Sequence, residues 1–204
     1  RESNARRQEI QQMDWPQLNS SIAACSECSL HKSRRHSVPG IGDLNAQWML
    51  VGEGPGEEED AQGEPFVGQA GKLLDNMLVA IELSREKNVY MTNVVKCRPP
   101  ENHHPAAQEV ASCAPYLQRQ VDLLQPKLII ALGKVAADHL LGREATIVSL
   151  RGKIHLVQGI PLIVTYHPAY LLRSPMDKAK AWEDLCLARA TMAEISSQAN
   201  VTTV

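Results

Sequence analysis

A chain of 204 residues with 44% apolar and 22% charged side chains, and twelve each of glycine and proline, has the makeup of one globular domain rather than a disordered or fibrous chain. Its 21 Lys and Arg against 23 Asp and Glu leave a net charge of −2, which excludes a uniformly basic nucleic-acid coat and requires any polyanion to be met by a local patch. No apolar run reaches the roughly 18 to 20 residues that span a bilayer, and the opening Arg1-Glu2-Ser3-Asn4-Ala5-Arg6-Arg7 lacks the apolar centre of a signal peptide, so no membrane association and a cytoplasmic location are expected.

Residues 1–38 read as a helical lead-in that carries a close cysteine pair, Cys25 and Cys28. After the turn-rich Pro39-Gly40-Ile41-Gly42-Asp43, the run Trp48-Met49-Leu50-Val51 reads as a buried strand ending in Gly52-Glu53-Gly54-Pro55-Gly56. Ala70, Leu73, Leu74, Met77, Leu78 and Ile81 recur at helical spacing, and Val89-Tyr90-Met91-Thr92 forms the next strand. Val110, Ala114, Leu117, Val121 and Leu124 mark one face of a second helix, followed by a strand at Leu128 to Leu132 and a short helix from Lys134 to Leu141. Leu162-Ile163-Val164-Thr165 supplies a fourth strand, and a last helix from Met176 to Ser196 turns Trp182, Leu185, Met192 and Ile195 inward. This alternation predicts one α/β domain over 1–204, three layers deep, with a central, mostly parallel four-stranded sheet covered on both faces. Ligands in such sheets bind beyond the carboxyl ends of the strands, which here carry Glu53 to Gly56, Asn93, Gly133-Lys134 and Tyr166-His167-Pro168.

Gly52, Gly54 and Gly56 do not form a dinucleotide fingerprint, because Glu57 stands where its last glycine belongs. Gly71-Lys72 is not a phosphate loop, since Phe66 replaces the first glycine and Leu73 the magnesium-binding hydroxyl residue. The acidic run Glu57 to Asp60 reads either as a metal-binding cluster or, more simply, as a charged loop opening a helix. Five cysteines without a secretory signature argue against a disulfide framework. Cys25 and Cys28 together with Cys97 and Cys113 supply two thiolate pairs, the number that closes a zinc site or holds an iron-sulfur cluster, and spacing does not choose between them. Cys186, alone on an apolar helical face, reads as a core thiol. His167 is an electrophile, a ligand or a loop residue on its own evidence. Lys32, Arg34, Arg35, His36, Arg151, Lys153 and Arg173 are candidate phosphate contacts, and Tyr170-Leu171-Leu172 beside Arg173 is either an apolar wedge for a base stack or core.

Taken together, Gly52 to Asp60, Gly63-Glu64-Pro65-Phe66-Val67-Gly68, Thr92-Asn93-Val94-Val95-Lys96-Cys97-Arg98-Pro99-Pro100 and Tyr166-His167-Pro168-Ala169-Tyr170 resemble the iron-sulfur, family 4 class of uracil-DNA glycosylases, from about Trp15 to the end of the His167 loop. The resemblance implies a uracil-DNA glycosylase-like fold, a monomer, and a substrate of uracil-containing DNA, single- or double-stranded. It places Glu53 and Gly54 against the flipped base and its attacking water, with Pro55, Gly56 and Glu59 completing the pocket. Phe66 would stack on the uracil ring, Asn93 would bond its edge, and His167 would donate to the charge developing on O2. Tyr170, Leu171 and Arg173 would meet the DNA, and Cys25, Cys28, Cys97 and Cys113 would hold a [4Fe-4S] cluster with a structural role. This chemistry suits the residue types, because breaking an N-glycosidic bond leaves an anionic base that needs preorganised donors.

Two departures stand out. Where the best-known uracil glycosylases place an Asp one residue after a Gln to position water, this chain has Gly54, so Glu53 is the first candidate and Glu59 the second. Glu101-Asn102-His103-His104-Pro105 carries histidines where the family commonly shows an Asn-Arg pair, which raises the alternative of covalent self-trapping. The basic insertion of the self-trapping class is absent, and ordinary turnover is the expectation. A non-catalytic, cluster-bearing damage-binding module is the competing class. A zinc hydrolase using His167 and the carboxylates of Glu57 to Asp60 is remote, because four cysteines would leave a zinc ion no open position.

Overall fold

The computed structural model describes residues 2–201. Helices α1 (Glu2–Ile10) and α2 (Trp15–Ala23) lead in, the second started by a reciprocal cap between Asp14 and Gln17. There follow β1 (Ile41–Gly42), β2 (Trp48–Gly52), α3 (Glu57–Gln62), α4 (Gln69–Ala80) and β3 (Val89–Asn93). Next come α5 (Ala107–Leu124), β4 (Leu128–Leu132), α6 (Lys134–Leu141), α7 (Ile147–Leu150), β5 (His155–Val157), β6 (Ile160–Thr165), α8 (Pro168–Arg173) and α9 (Lys178–Val201). No helix among the described residues is long and apolar enough to cross a membrane.

The sheet has six strands in the order β1-β3-β2-β4-β6-β5, not the four expected. The four expected strands are its parallel centre, β3-β2-β4-β6. The two additions are antiparallel edges, β1 on β3 and β5 on β6. Both are too short for an alternation signal: β1 is two residues inside a turn-rich segment, and β5 is three residues of a hairpin. Gln158 and Gly159 at the tip of that hairpin have φ of 53° and 76°, the backbone a tight two-residue turn requires.

The central strands are apolar on both faces because both faces are covered. Trp48, Leu50, Met91, Ile130 and Ile163 look toward α4, α8 and α9. Met49, Val51, Tyr90, Ile129, Ala131 and Val164 look toward α5 and α6. A third, smaller cluster of Ile10, Leu18 and Ile22 seats α1 and α2 on α5 through Tyr116. In α9, Leu185 and Met192 face the core as expected and Ile195 packs partly against it, but Trp182 is 43% exposed. The inward positions of that helix are Ala181, Asp184, Leu185, Ala188, Thr191 and Met192, a spacing that leaves Trp182 to one side. Met176 precedes the helix, in a short 3-10 turn, and is exposed.

Arg151 is a structural residue and not the phosphate contact its sequence neighbourhood suggests. Its Nε donates to Asp184 Oδ2 at 2.8 Å, an Nη donates to the Lys180 carbonyl at 2.8 Å, and the guanidinium lies over the Tyr166 ring. Asp184 also accepts from Thr165 Oγ1 at 2.7 Å, so one ion pair joins the end of β6 to α9 and the loop after α7. Arg151→Leu strands a buried carboxylate and should cost about 3 to 5 kcal/mol in urea unfolding, most of it recovered by adding Asp184→Asn.

Candidate functional site

Because β2, β3, β4 and β6 run parallel and in register, their carboxyl ends finish side by side. Gly52 is paired with Asn93, and Leu132 with Thr165. The chain passes from β2 to β3 on one side and then to β4 on the other, which makes this end of the sheet a topological switch point. The expected site residues Glu53, Gly54, Asn93 and His167 all follow or end these strands.

Asn93 is 1% exposed, and its Oδ1 has no hydrogen-bond partner. A buried acceptor left unpaired costs free energy, which a ligand N–H would recover. It occupies space that any other residue at Gly52 would fill, since a Cβ there would lie 2.6 Å from Asn93 Oδ1 and 2.7 Å from Phe66 Cζ. The Phe66 ring, 5% exposed, is 6.0 Å from the His167 ring at 36°. The structure therefore brings together an apolar face, an amide edge and an imidazole.

Phe66 sits at φ 55°, an uncommon conformation for a bulky residue. Two features hold it there. Gly71 lets the Phe66 carbonyl approach so closely that a Cβ would stand 1.8 Å from the oxygen. Arg85, ion-paired to Asp75 at 2.7 Å, donates to the carbonyls of Phe66 at 2.6 Å and Pro65 at 3.4 Å. Arg85 is a supporting residue that no local motif marks. Glu59 has both carboxylate oxygens engaged by backbone amides, Gly56 N at 3.2 Å and Gly68 N at 3.0 Å. It joins the loop after β2 to the start of α4. Gly54 backs onto Val95, Pro55 is buried, and Glu57 and Glu58 are exposed at the start of α3. Glu53 is 29% exposed at its side chain and accepts from His104 Nδ1 at 2.5 Å.

His167 caps α8: its Nδ1 accepts from Ala169 N at 3.0 Å. Since a backbone N–H only donates, the ring proton is on Nε2, which makes that nitrogen a donor. The ring is half-buried, and burial, with a smaller push from Arg173, lowers its pKa to about 4. His167 is thus a neutral donor at ordinary pH.

Beyond His167 the wedge expectation needs correction. Leu171 is 1% exposed and belongs to the core beneath α4 and α9, because α8 turns it inward. Leu172 and Met176 are the exposed apolar side chains there, at 43% and 89%. Tyr170 stacks on Tyr166 at 5.0 Å and donates to Asp177 at 2.6 Å, while Arg173 is exposed. Arg34 is also committed elsewhere. Lys32, Arg35, His36, Lys153 and Arg173 are left on the surface.

Cys25, Cys28, Cys97 and Cys113 line one cavity, and none is in a disulfide. Cys186 does not line it. Among the described residues no three His, Cys, Asp or Glu side chains converge as a single ion requires. Zinc draws its thiolates to about 2.3 Å from one point. A cubane cluster instead binds each of four cysteines through a different iron, which suits donors arranged around a cavity. Burial pushes the Cys113 thiol up to about 11 and raises Cys28 and Cys97. Thiolates in such surroundings need positive charge. Arg34 donates to Cys97 Sγ at 2.9 Å, and the Arg6 guanidinium is 3.9 Å from Cys25 Sγ. Lys96 also lines the cavity; it is 1% exposed and donates to Gln120 Oε1 at 2.7 Å, Thr92 Oγ1 at 2.7 Å and the Asn93 carbonyl at 2.5 Å. Burial lowers its pKa to about 8 against the opposing pull of Cys113 and Cys97.

The family model of the uracil DNA glycosylase superfamily matches residues 39–186, and the chain belongs to that superfamily. Among curated relatives, it is 46% identical over 162 residues to a type-4 uracil-DNA glycosylase of Archaeoglobus fulgidus, covering 76% of this chain and 81% of the relative. It is 43% identical over 184 residues to a type-4 uracil-DNA glycosylase of Pyrobaculum aerophilum, covering 86% and 93%. A type-5 enzyme from the same organism is more distant, 32% identical over 151 residues.

The state of His167 carries a pH signature. An unfolded histidine has its pKa near 6.5, above the folded value of about 4, so the unfolded chain binds more protons between these limits. The stability this neutral ring contributes is complete above about pH 6.5 and is lost as the pH falls toward 4. Urea unfolding of the His167→Gln variant should show a shallower loss of stability than the parent between pH 7 and 4.5, and parallel curves would refute the assignment.

Proposed function

We propose that this protein hydrolyses the N-glycosidic bond of uracil in DNA, releasing free uracil and leaving an abasic site for base excision repair. The unsatisfied Oδ1 of buried Asn93, which with Phe66 borders Gly52, is the observation that carries this reading. Uracil offers N3–H to an acceptor and O4 to a donor, and one Asn side chain supplies both, whereas cytosine presents the reverse pattern.

In this mechanism the extruded base stacks on Phe66, which helps offset the few kcal/mol of leaving the helix. As the bond from N1 to C1′ breaks, its electron pair passes to the uracil ring. The Nε2–H of His167 stabilises the negative charge on O2, and a neutral donor does so without needing its own proton transferred. A water held by the Glu53 carboxylate adds to C1′ of the cationic sugar and passes a proton to that carboxylate, and the released uracil anion takes up a proton from solvent. The exposed Lys32, Arg35, Lys153 and Arg173, with His36, are the candidate phosphate contacts, and the exposed Leu172 and Met176 are the apolar candidates to enter the duplex.

Cys25, Cys28, Cys97 and Cys113 are the residues that would hold a [4Fe-4S] cluster. The group would supply a structural tie, and no redox step is needed for hydrolysis. The contact of His104 with Glu53 favours one second reading, capture of the abasic product by the imidazole.

A labelled oligonucleotide with a single uracil separates these readings. The unmodified chain should give an alkali-labile product, and Asn93→Ala and His167→Ala should each be slower by about a hundredfold to a thousandfold. A product band shifted by the mass of the protein, lost in His104→Ala, would replace hydrolysis with capture. Folded, iron-loaded protein that leaves uracil in place would refute both. Cys97→Ala should lose the brown colour of an iron-sulfur protein and unfold at lower urea, and unchanged colour would exclude Cys97 as a ligand.

A further inference from the structure

The main chain of Glu53 is fixed from within the sheet, and its side chain from outside it. Val94 N donates to the Gly52 carbonyl at 2.9 Å and Val95 N to the Glu53 carbonyl at 3.1 Å, so the backbone leaving β2 is tied to the backbone leaving β3. The carboxylate beyond that backbone still turns about several single bonds, and a misplacement of about 1 Å is enough to slow a reaction strongly. Among the described residues His104 is its one hydrogen-bond partner: Nδ1 donates to Oε1 at 2.5 Å, and nothing bonds Oε2. One oxygen is anchored and the other is open.

The loop delivers His104 through a short, held turn. After Pro99 the chain forms a 3-10 turn, Pro100–Asn102, in which Glu101 and Asn102 both take φ of 55°. Arg98 Nε donates to Asn102 Oδ1 at 3.0 Å and Asn102 N to the Pro99 carbonyl at 3.3 Å, which keeps the turn closed. Pro105 then restricts the backbone of His104 to extended conformations. His103 instead closes on Glu101 of its own turn at 3.0 Å, so only the second histidine reaches the strand end. An ionised carboxylate only accepts, so the ring proton at this contact is on Nδ1. The ring itself is 85% exposed and meets Glu53 from the solvent side.

We propose that His104 is a positioning residue for excision: by holding Oε1 of Glu53 it leaves Oε2 in a fixed place for the water that adds to C1′. This rests on the functional reading above and gives the exposed histidine a task in hydrolysis itself. In this role the imidazole forms no bond to the sugar and exchanges no proton. It restricts the carboxylate to one orientation, in which the proton of the water is received.

Single-turnover excision from a uracil-containing oligonucleotide, with DNA affinity measured alongside, tests the proposal. His104→Ala should slow the chemical step by about tenfold to a hundredfold, the order of loss that follows from a misplaced reacting group, with affinity unchanged. His104→Asn keeps an N–H donor near the position of Nδ1 and has no ring nitrogen for capture, and it should restore most of the rate. In a Glu53→Ala background His104→Ala should cost nothing further, because the two residues act as one unit. A parental rate in His104→Ala, no recovery in His104→Asn, or a full additional loss in the Glu53→Ala background each overturns the proposal. The position of the ring proton gives a readout independent of excision. Imidazole NMR spectra of the parent, at a pH where the ring is neutral, should show His104 protonated on Nδ1, a preference that Glu53→Ala removes. A proton on Nε2 in the parent overturns the contact. If the parent shows the Nδ1 proton yet leaves uracil in place, the functional reading fails, and the task assigned to the contact fails with it.

Discussion

Gly52 and Asn93 lie opposite each other in the parallel register of β2 and β3, and the site depends on that pairing. A parallel sheet buried on both faces leaves each strand little freedom to slip, because a one-residue shift would exchange every side chain between the two cores. The register therefore sets the Asn93 amide beside the one residue without a side chain to crowd it. From this follow the close approach of Phe66 and the placement of His167 beyond the end of the neighbouring pair β4 and β6.

Around that pairing the molecule spends cations inward. Arg85 holds the Phe66 loop, Arg151 joins β6 to α9, Arg34 and Arg6 face the cysteines, and Lys96 stands between the cysteines and Asn93. Each charge is desolvated only where a carboxylate, a sulfur or several carbonyls receive it, which is the condition for burying charge at all. Of the 21 Lys and Arg, these five are therefore occupied within the fold.

The sequence is most readable where the signal is local. Continuous apolar runs such as Leu128 to Leu132 and the helical spacing of Leu74, Met77 and Leu78 match the observed elements closely. The strand ends then locate Asn93 and His167 without further information. Residues whose role arises from contacts distant in sequence are not readable in this way. Arg85 reaches Phe66 across 19 residues, and Gln120 reaches Lys96 across 24. Nothing in either neighbourhood distinguishes these residues from surface polar groups. Leu171 and Leu172 show the finer limit: they are adjacent and identical, and only the turn of a six-residue helix decides which is core and which is exposed. Trp182 fails for a related reason, since Ala181, Asp184, Leu185, Ala188, Thr191 and Met192 form the buried stripe of α9.

The two edge strands that composition and periodicity passed over have a consequence for the molecule in a crowded solution. An open parallel sheet ends in rows of unpaired amides and carbonyls that invite another chain to add on. Here each border is finished by a strand running the opposite way and only two or three residues long. A strand so short offers few backbone groups to an incoming partner. Sheet growth stops at both sides, and the molecule can display a row of apolar central strands to its own helices without displaying them to its neighbours.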